Sequence, residues 1–349
     1  MSTDLRYALE RTMAEGTLRR RLKTIPTFVG GLIIMLVVAP VALPLIAVVD
    51  AARWLISRKH WMGVRLYSFG VVYLTAETAG LIALGATWVA TGFGRFRRPL
   101  LSWTFAIQQT WAGTLLGAAR GIFGLRLEVE NDEAISPGPI VLMVRHASIV
   151  DNLLPAVLVS TRHGILLRYI LKRELLSDPC LDVAGNRLPN YFIQRGADDP
   201  QAELSAIRDL AAGLGPNDGV LIYPEGTRFT EARQARALEK LKEREPGLFE
   251  QAQQLSHVLP PRLGGPLALL EAAGTADVVI LTHQGLEGFA HLRDIWAGGM
   301  VDATIRVEFW RVPRSEIPTN RAEQISWLYE IWAGVDDWID ESSGRDTPR

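Results

Sequence analysis

The chain has 349 residues, 48% of them hydrophobic, and its 37 Lys and Arg against 38 Asp and Glu give a formal net charge of −1. It is too long for one minimal domain and apolar enough for a full core, and the balanced charge excludes a global pull toward nucleic acid, so any anionic partner must be met by local basic clusters. A single cysteine, Cys180, excludes an internal disulfide and a cysteine-based zinc site, which fits a reducing compartment.

Phe28 to Val49 is an uncharged apolar run, long enough to cross a ~30 Å hydrocarbon layer as a helix. It exceeds the apolar part of a signal peptide and follows a stretch rich in both charge signs, so it reads as membrane-embedded rather than cleaved. Tyr67 to Phe93 is a second such run, interrupted by Glu77, whose burial requires neutrality, a partner or an interface position. Basic clusters flank every side: Arg19, Arg20, Arg21 and Lys23; Arg53, Arg58, Lys59 and Arg65; Arg95, Arg97 and Arg98. The positive-inside rule therefore leaves two topologies open. Two spanning helices would put the middle cluster on the far side, whereas a re-entrant first segment bent at Pro40 and Pro44 would keep all three on the cytosolic face. Both place the C-terminal part at the cytosolic face of a membrane.

From Trp103 through Phe105, Ile107, Trp111, Leu115 and Phe123 the apolar spacing is helical, which predicts an interfacial or packing helix over 101–124. Leu125 to Glu130 alternates with period two and ends in Asn131-Asp132, a half-buried strand and its turn. Beyond it, short apolar runs (Ile140 to Val144, Tyr191 to Ile193, Gly219 to Tyr223, Val278 to Leu281, Thr304 to Phe309) alternate with helical patterns such as Glu203 to Leu214. That alternation predicts an α/β layered domain over 125–342, a mixed sheet flanked by helices, after an anchoring region over 1–100 and before a polar tail over 343–349. Thr230 to Ser256 carries opposite charges at helical spacing and reads as a solvated helix.

Two clusters carry chemistry. His146 and Asp151 follow an apolar strand, where sites gather in α/β folds. On one regular helix positions five apart diverge by roughly 140°, so the pair meets only if His146 lies in the turn before the helix. Asp151 would then take one imidazole nitrogen and make the other a general base; the ordinary alternative is a surface pair. The second cluster, Tyr223-Pro224-Glu225-Gly226-Thr227-Arg228, is a strand exit suited to a phosphate ester. Arg228 offers a bidentate fork, Gly226 close backbone approach and Thr227 a hydroxyl, while Glu225 would orient Arg228 or accept from a substrate hydroxyl. Arg195, after Tyr191-Phe192-Ile193-Gln194, would complete an anion pocket. No carboxylate or histidine cluster has metal-ligand spacing.

These pieces, in this order, resemble the glycerolipid acyltransferase family that includes 1-acylglycerol-3-phosphate acyltransferase. His146 to Asp151 is similar to that family's HxxxxD motif, Phe192 to Arg195 to its second block and Pro224 to Arg228 to its third. The block His257 to Arg262 is similar to the branch containing lysocardiolipin acyltransferases. The resemblance implies a layered acyltransferase domain that needs no cofactor. It implies acyl-CoA or acyl-carrier protein as donor, and a lysophospholipid, foremost 1-acylglycerol-3-phosphate, as acceptor to give phosphatidic acid. His146 and Asp151 would be catalytic, and Arg195, Glu225, Gly226, Thr227 and Arg228 would bind the acceptor. Lys172 would touch a donor or acceptor phosphate, or stand in solvent. Competing readings are remodelling of another lysophospholipid, a CoA-independent transacylase and an inactive membrane adaptor; a hydrolase is disfavoured because no Gly-x-Ser-x-Gly elbow occurs. Arg145 departs from the asparagine common before the histidine, and would either lower the pKa of a nearby histidinium or bind a further phosphate. His283 is read as supporting the site rather than touching substrate.

Overall fold

A computed structural model describes residues 17–148, 150–193, 200–287 and 292–344. Three long helices come first: α1 (Thr17–Ser57), α2 (Met62–Ala90) and α3 (Arg97–Phe123). Then follow β1 (Arg126–Glu130), β2 (Ile140–Val144), β3 (Leu166–Lys172), α4 (Pro179–Arg187) and β4 (Tyr191–Ile193). The chain continues through α5 (Pro200–Ala211), β5 (Asp218–Ile222), α6 (Glu231–Arg244), α7 (Pro246–Ala252), α8 (Gly264–Ala272), β6 (Asp277–Gln284), α9 (Leu292–Ala297), β7 (Thr304–Val312) and α10 (Arg321–Gly344).

The strands form one mixed sheet in the order β1-β7-β6-β2-β5-β3-β4, parallel except where β6 meets β7. β2 is the centre, buried at every residue, which is why it reads as the unbroken apolar run Ile140-Val141-Leu142-Met143-Val144. Its side chains alternate between two cores. Ile140, Leu142 and Val144 join Phe123 of α3 and Leu158 on one face. Val141 and Met143 join Ile207 of α5, Leu267 of α8 and Trp332 of α10 on the other. The charged segment after Thr230 is helical, and α6 buries no residue.

By length and composition α1 and α2 are each able to cross a membrane, and none of the apolar window of α1 is buried. Ile34, Val37, Val41, Leu45 and Val48 are exposed along it, an apolar surface of the kind that meets lipid or protein. The helix runs on through Pro26, Pro40 and Pro44, without the bend at the latter two that one of the two topologies left open would need. Both of its ends touch the α/β domain. Near the start, Arg20 Nη2 and Arg21 Nε reach the buried Asp182 of α4 at 2.8 and 3.1 Å. Near the end, the Arg53 guanidinium stacks 4.5 Å from the Trp296 ring centroid of α9, while in α2 Arg65 Nη1 donates to Ile122 O of α3 at 2.5 Å. Residues 20 and 53 are roughly 50 Å apart on a straight helix. Arg20 and Arg21 of the first basic cluster and Arg53 of the middle one therefore reach the α/β domain from one unbroken helix.

The anchoring region over 1–100 packs against the α/β domain. Met62 belongs to the core that holds Phe123, and Leu84 packs with Cys180 and Ala184 of α4. Glu77 is buried with partners, accepting from Trp111 Nε1 at 2.6 Å and from the Cys180 amide at 3.0 Å. These contacts answer the cost of a carboxylate inside an apolar helix.

Candidate active site

Because β2 to β6 are mutually parallel, their carboxyl ends share one edge of the sheet, the edge where α/β folds place their sites. His146 lies in the turn after β2 and Asp151 in the short 3-10 turn Val150–Asn152. This meets the geometric condition for their contact: His146 Nδ1 is 3.1 Å from Asp151 Oδ2. The same oxygen accepts from the Ala147 and Ser148 amides, each at 2.8 Å, and the Val150 amide donates to Ser148 Oγ at 3.1 Å. The loop is thus wound around one carboxylate. Nδ1–H pointing at it leaves Nε2 as the ring nitrogen that can take a proton. The Tyr223 ring covers the imidazole at 4.5 Å between centroids. Burial and the Asp151 charge push the Tyr223 phenol well above its ordinary value, so it stays neutral.

Glu225 differs from the sequence reading. Its carboxyl group is turned inward: Oε1 accepts from the His146 amide at 2.7 Å and Oε2 from the Leu259 amide at 2.9 Å. Its buried carboxylate fastens three chain segments. Burial pushes this carboxyl up to about 8, against the pull of both amides and of Arg145. Gly226 takes φ +65°, a left-handed conformation that suits glycine. A Cβ there would lie 2.8 Å from Arg262 Cδ. Arg262, whose amide donates to Pro224 O at 2.8 Å, latches this turn. Thr227 and Arg228 follow, both half-buried, and Arg228 O accepts from Arg233 Nη1 at 3.0 Å. Lys172 ends β3 on the same edge, paired with Ile193 of β4. Arg195 lies outside the described residues.

Arg145 is not placed as a phosphate ligand, because its buried guanidinium is taken up. Nη1 donates to His283 O at 2.5 Å and Glu287 Oε1 at 2.6 Å, and Nη2 to His257 O at 3.1 Å. The fully buried His283, at the end of β6, has Nε2 3.1 Å from Arg145 O and 3.7 Å from Asp151 Oδ2. Glu287 was not singled out in the sequence, and Tyr223 and Leu259, although inside the Tyr223 to Arg228 cluster and the His257 to Arg262 block, were given no task there. A cleft of about 400 Å³ opens beside the loop, lined by Arg145, Ala147, Phe229 and Thr230 among others. Among the described residues no three His, Cys, Asp or Glu side chains form a metal ligand set.

Burial lowers the His283 imidazole from 6.5 to about 4 despite the neighbouring Asp151 carboxylate. The unfolded chain takes up a proton on this residue as pH falls through about 6.5, the folded protein only near 4. Stability is therefore lost between those values, on the order of 3 kcal/mol at the acid end. Denaturant midpoints measured across this window should fall less steeply for His283→Gln than for the parent protein. Parallel slopes would show that another group carries the acid response.

A mixed α/β sheet carries the His146–Asp151 turn at its carboxyl edge, and the known proteins to which this chain is similar are acyltransferases. The family model described as Acyltransferase matches residues 126–268. Lysophosphatidylinositol acyltransferase 10 of Caenorhabditis elegans is 21% identical over 236 residues, covering 64% of this chain and 57% of that protein's length. The crystal structure of the 1-acyl-sn-glycerophosphate (LPA) acyltransferase PlsC from Thermotoga maritima superposes with a TM-score of 0.51 at 14% identity, over 81% of this chain and all of that one. That likeness is one of fold. The likeness to acyltransferases thus covers the α/β domain from 126 to 268, and the chain spans 57% of the length of the curated relative it matches.

Proposed function

We propose that this protein transfers a fatty acyl chain from acyl-CoA or acyl-carrier protein to the free hydroxyl of a lysophospholipid, foremost 1-acylglycerol-3-phosphate to give phosphatidic acid, at the cytosolic face of a membrane. The observation that carries this reading is the His146 Nδ1 contact with Asp151, which leaves Nε2 as the basic nitrogen of a ring with only 10% side-chain exposure. In the proposed step Nε2 takes the acceptor hydroxyl proton as the oxygen attacks the thioester carbonyl. The new C–O bond forms, the C–S bond breaks, and the imidazolium returns the proton to the leaving thiolate. Asp151 holds the imidazolium without becoming protonated, and no covalent acyl-enzyme is needed.

Arg228, with Thr227 beside it and Arg195 as second cation, would bind the acceptor phosphate. Arg228→Lys keeps the charge but loses the planar fork. Loss of a charge-assisted contact should raise the acceptor KM by about tenfold to a hundredfold, and the donor KM less. Purified protein would be assayed with one acyl-CoA against lysophosphatidate, lysophosphatidylinositol, lysocardiolipin and phosphate-free monoacylglycerol. Lysophosphatidate should lose most of its advantage in the variant while monoacylglycerol loses little. Equal losses for both would remove Arg228 from the acceptor phosphate, and no transfer from any donor would remove the enzymatic reading.

A further inference from the structure

Away from the dyad, a cavity of about 1050 Å³ lies between α1, α2, α3 and α4, at the upper end of the ~300–1,000 Å³ typical of small-ligand clefts. None of its lining residues belongs to the His146 to Asp151 loop or the Tyr223 to Arg228 turn. Its walls are mostly apolar, with Val29 from α1, Leu81 from α2 and Leu101 and Phe105 from α3. Ile82 and Trp88 line it while 68% and 43% exposed on the outer surface of α2, so the cavity opens onto the apolar side of the helices.

Arg21, Arg97 and Arg187 line the same cavity, and no acidic side chain does among the described residues. The nearest carboxylate found to meet them, Asp182, is shared by Arg20 and Arg21. Arg187 gives Nη1 to Leu84 O at 2.7 Å, and burial together with the Arg21 charge lowers its proton affinity. Positive charge is thus in excess beside an apolar space. An amphiphile with an anionic head group complements both features. The arginines, with Asn186, suit one phosphate, whereas a nucleotide-bearing thioester would also need recognition for its base and sugar.

We propose that this cavity holds one anionic phospholipid drawn from the surrounding bilayer, its acyl chains between α2 and α3 and its phosphate against Arg97 and Arg187. The lipid would bind the long helices to α4. This rests on the membrane placement of α1 and α2 and not on acyl transfer.

The full-length protein would be incorporated into vesicles of phosphatidylcholine with a minor share of phosphatidylglycerol, re-extracted in detergent, and its retained phospholipid identified and counted. One phosphatidylglycerol per chain is expected. A Cβ at Gly85, which lines the cavity, meets nothing within 4 Å. The ring of Gly85→Trp can therefore enter the space, and retention should fall about tenfold or more. Arg97→Gln, at an exposed position, should reduce the preference for phosphatidylglycerol over phosphatidylcholine by about tenfold or more. His146→Ala should retain the same lipid. Unchanged retention in Gly85→Trp, or equal retention of phosphatidylcholine by the parent protein, overturns the proposal. So does displacement of the retained lipid by palmitoyl-CoA, which would make the cavity the donor's pocket. Co-sedimentation with vesicles but no retained lipid removes this proposal alone, while failure to co-sediment removes the membrane placement together with it.

Discussion

Replacing His146 by alanine is expected to slow acyl transfer by about 10² to 10⁴, the usual contribution of a positioned general base. The thermal transition should stay in place. The imidazole packs on the Tyr223 ring but is not part of either apolar core, so its removal leaves no large void. The fastening of the loop survives too, because Asp151 Oδ2 still accepts from the Ala147 and Ser148 amides. Asp151→Asn should also be slow, but for two reasons. It removes the charge that supports the imidazolium, and its amide group can no longer accept from both amides and the ring at a single anionic oxygen. A further loss of stability should therefore appear in Asp151→Asn and not in His146→Ala. Turnover near the parent value in His146→Ala, in protein with an intact transition, would sink the mechanism.

Glu225→Gln is expected to lower both stability and turnover, although it changes no volume. Above about pH 8, where the Glu225 carboxyl group is ionised, it accepts from the His146 and Leu259 amides with one oxygen each; a glutamine has one oxygen and one NH2, so one buried donor faces another. Leaving such a group unsatisfied costs roughly 1–3 kcal/mol. The activity loss should exceed what the stability loss explains, since the amide that is freed belongs to His146 itself. A displacement of a catalytic group by about 1 Å is able to cost on the order of 10² in rate. Denaturant midpoints and kcat under fully folded conditions measure the two effects separately. A variant as stable and as active as the parent protein would mean that neither amide depends on this side chain.

The parts of the fold legible in the sequence are those set by local periodicity. Ile140 to Val144 reads as a strand because a central parallel strand is apolar on both sides, and Leu125 to Glu130 because only one side of it is buried. The spacing of His146 and Asp151 made a turn the condition for their contact, as no single helix lets the two side chains meet, but not the contact itself. What was not legible depends on partners distant in the chain. Glu225 has a different task from the one its neighbours suggest because the amides of His146 and Leu259 are brought to it by β2 and by the loop before α8. Arg145 looks like an anion ligand in sequence, yet its guanidinium is enclosed by His257 O, His283 O and Glu287. Pro40 and Pro44 suggest a break, but proline costs a helix only its local hydrogen bond and some bending, and α1 is held at points far from both, by Asp182 and Trp296.

That two-point attachment of α1 makes a stiff mount out of what would otherwise be a tether. A domain on a flexible linker samples many heights above a bilayer, whereas one fixed at points roughly 50 Å apart along a single helix keeps its tilt. If the apolar side of α1 lies in lipid, the edge of the sheet carrying His146 stays at a constant standoff from the head groups. A lysolipid would then arrive by lateral diffusion without leaving its leaflet. Bilayer thickness, rather than linker length, becomes the variable that sets how often its hydroxyl meets the imidazole.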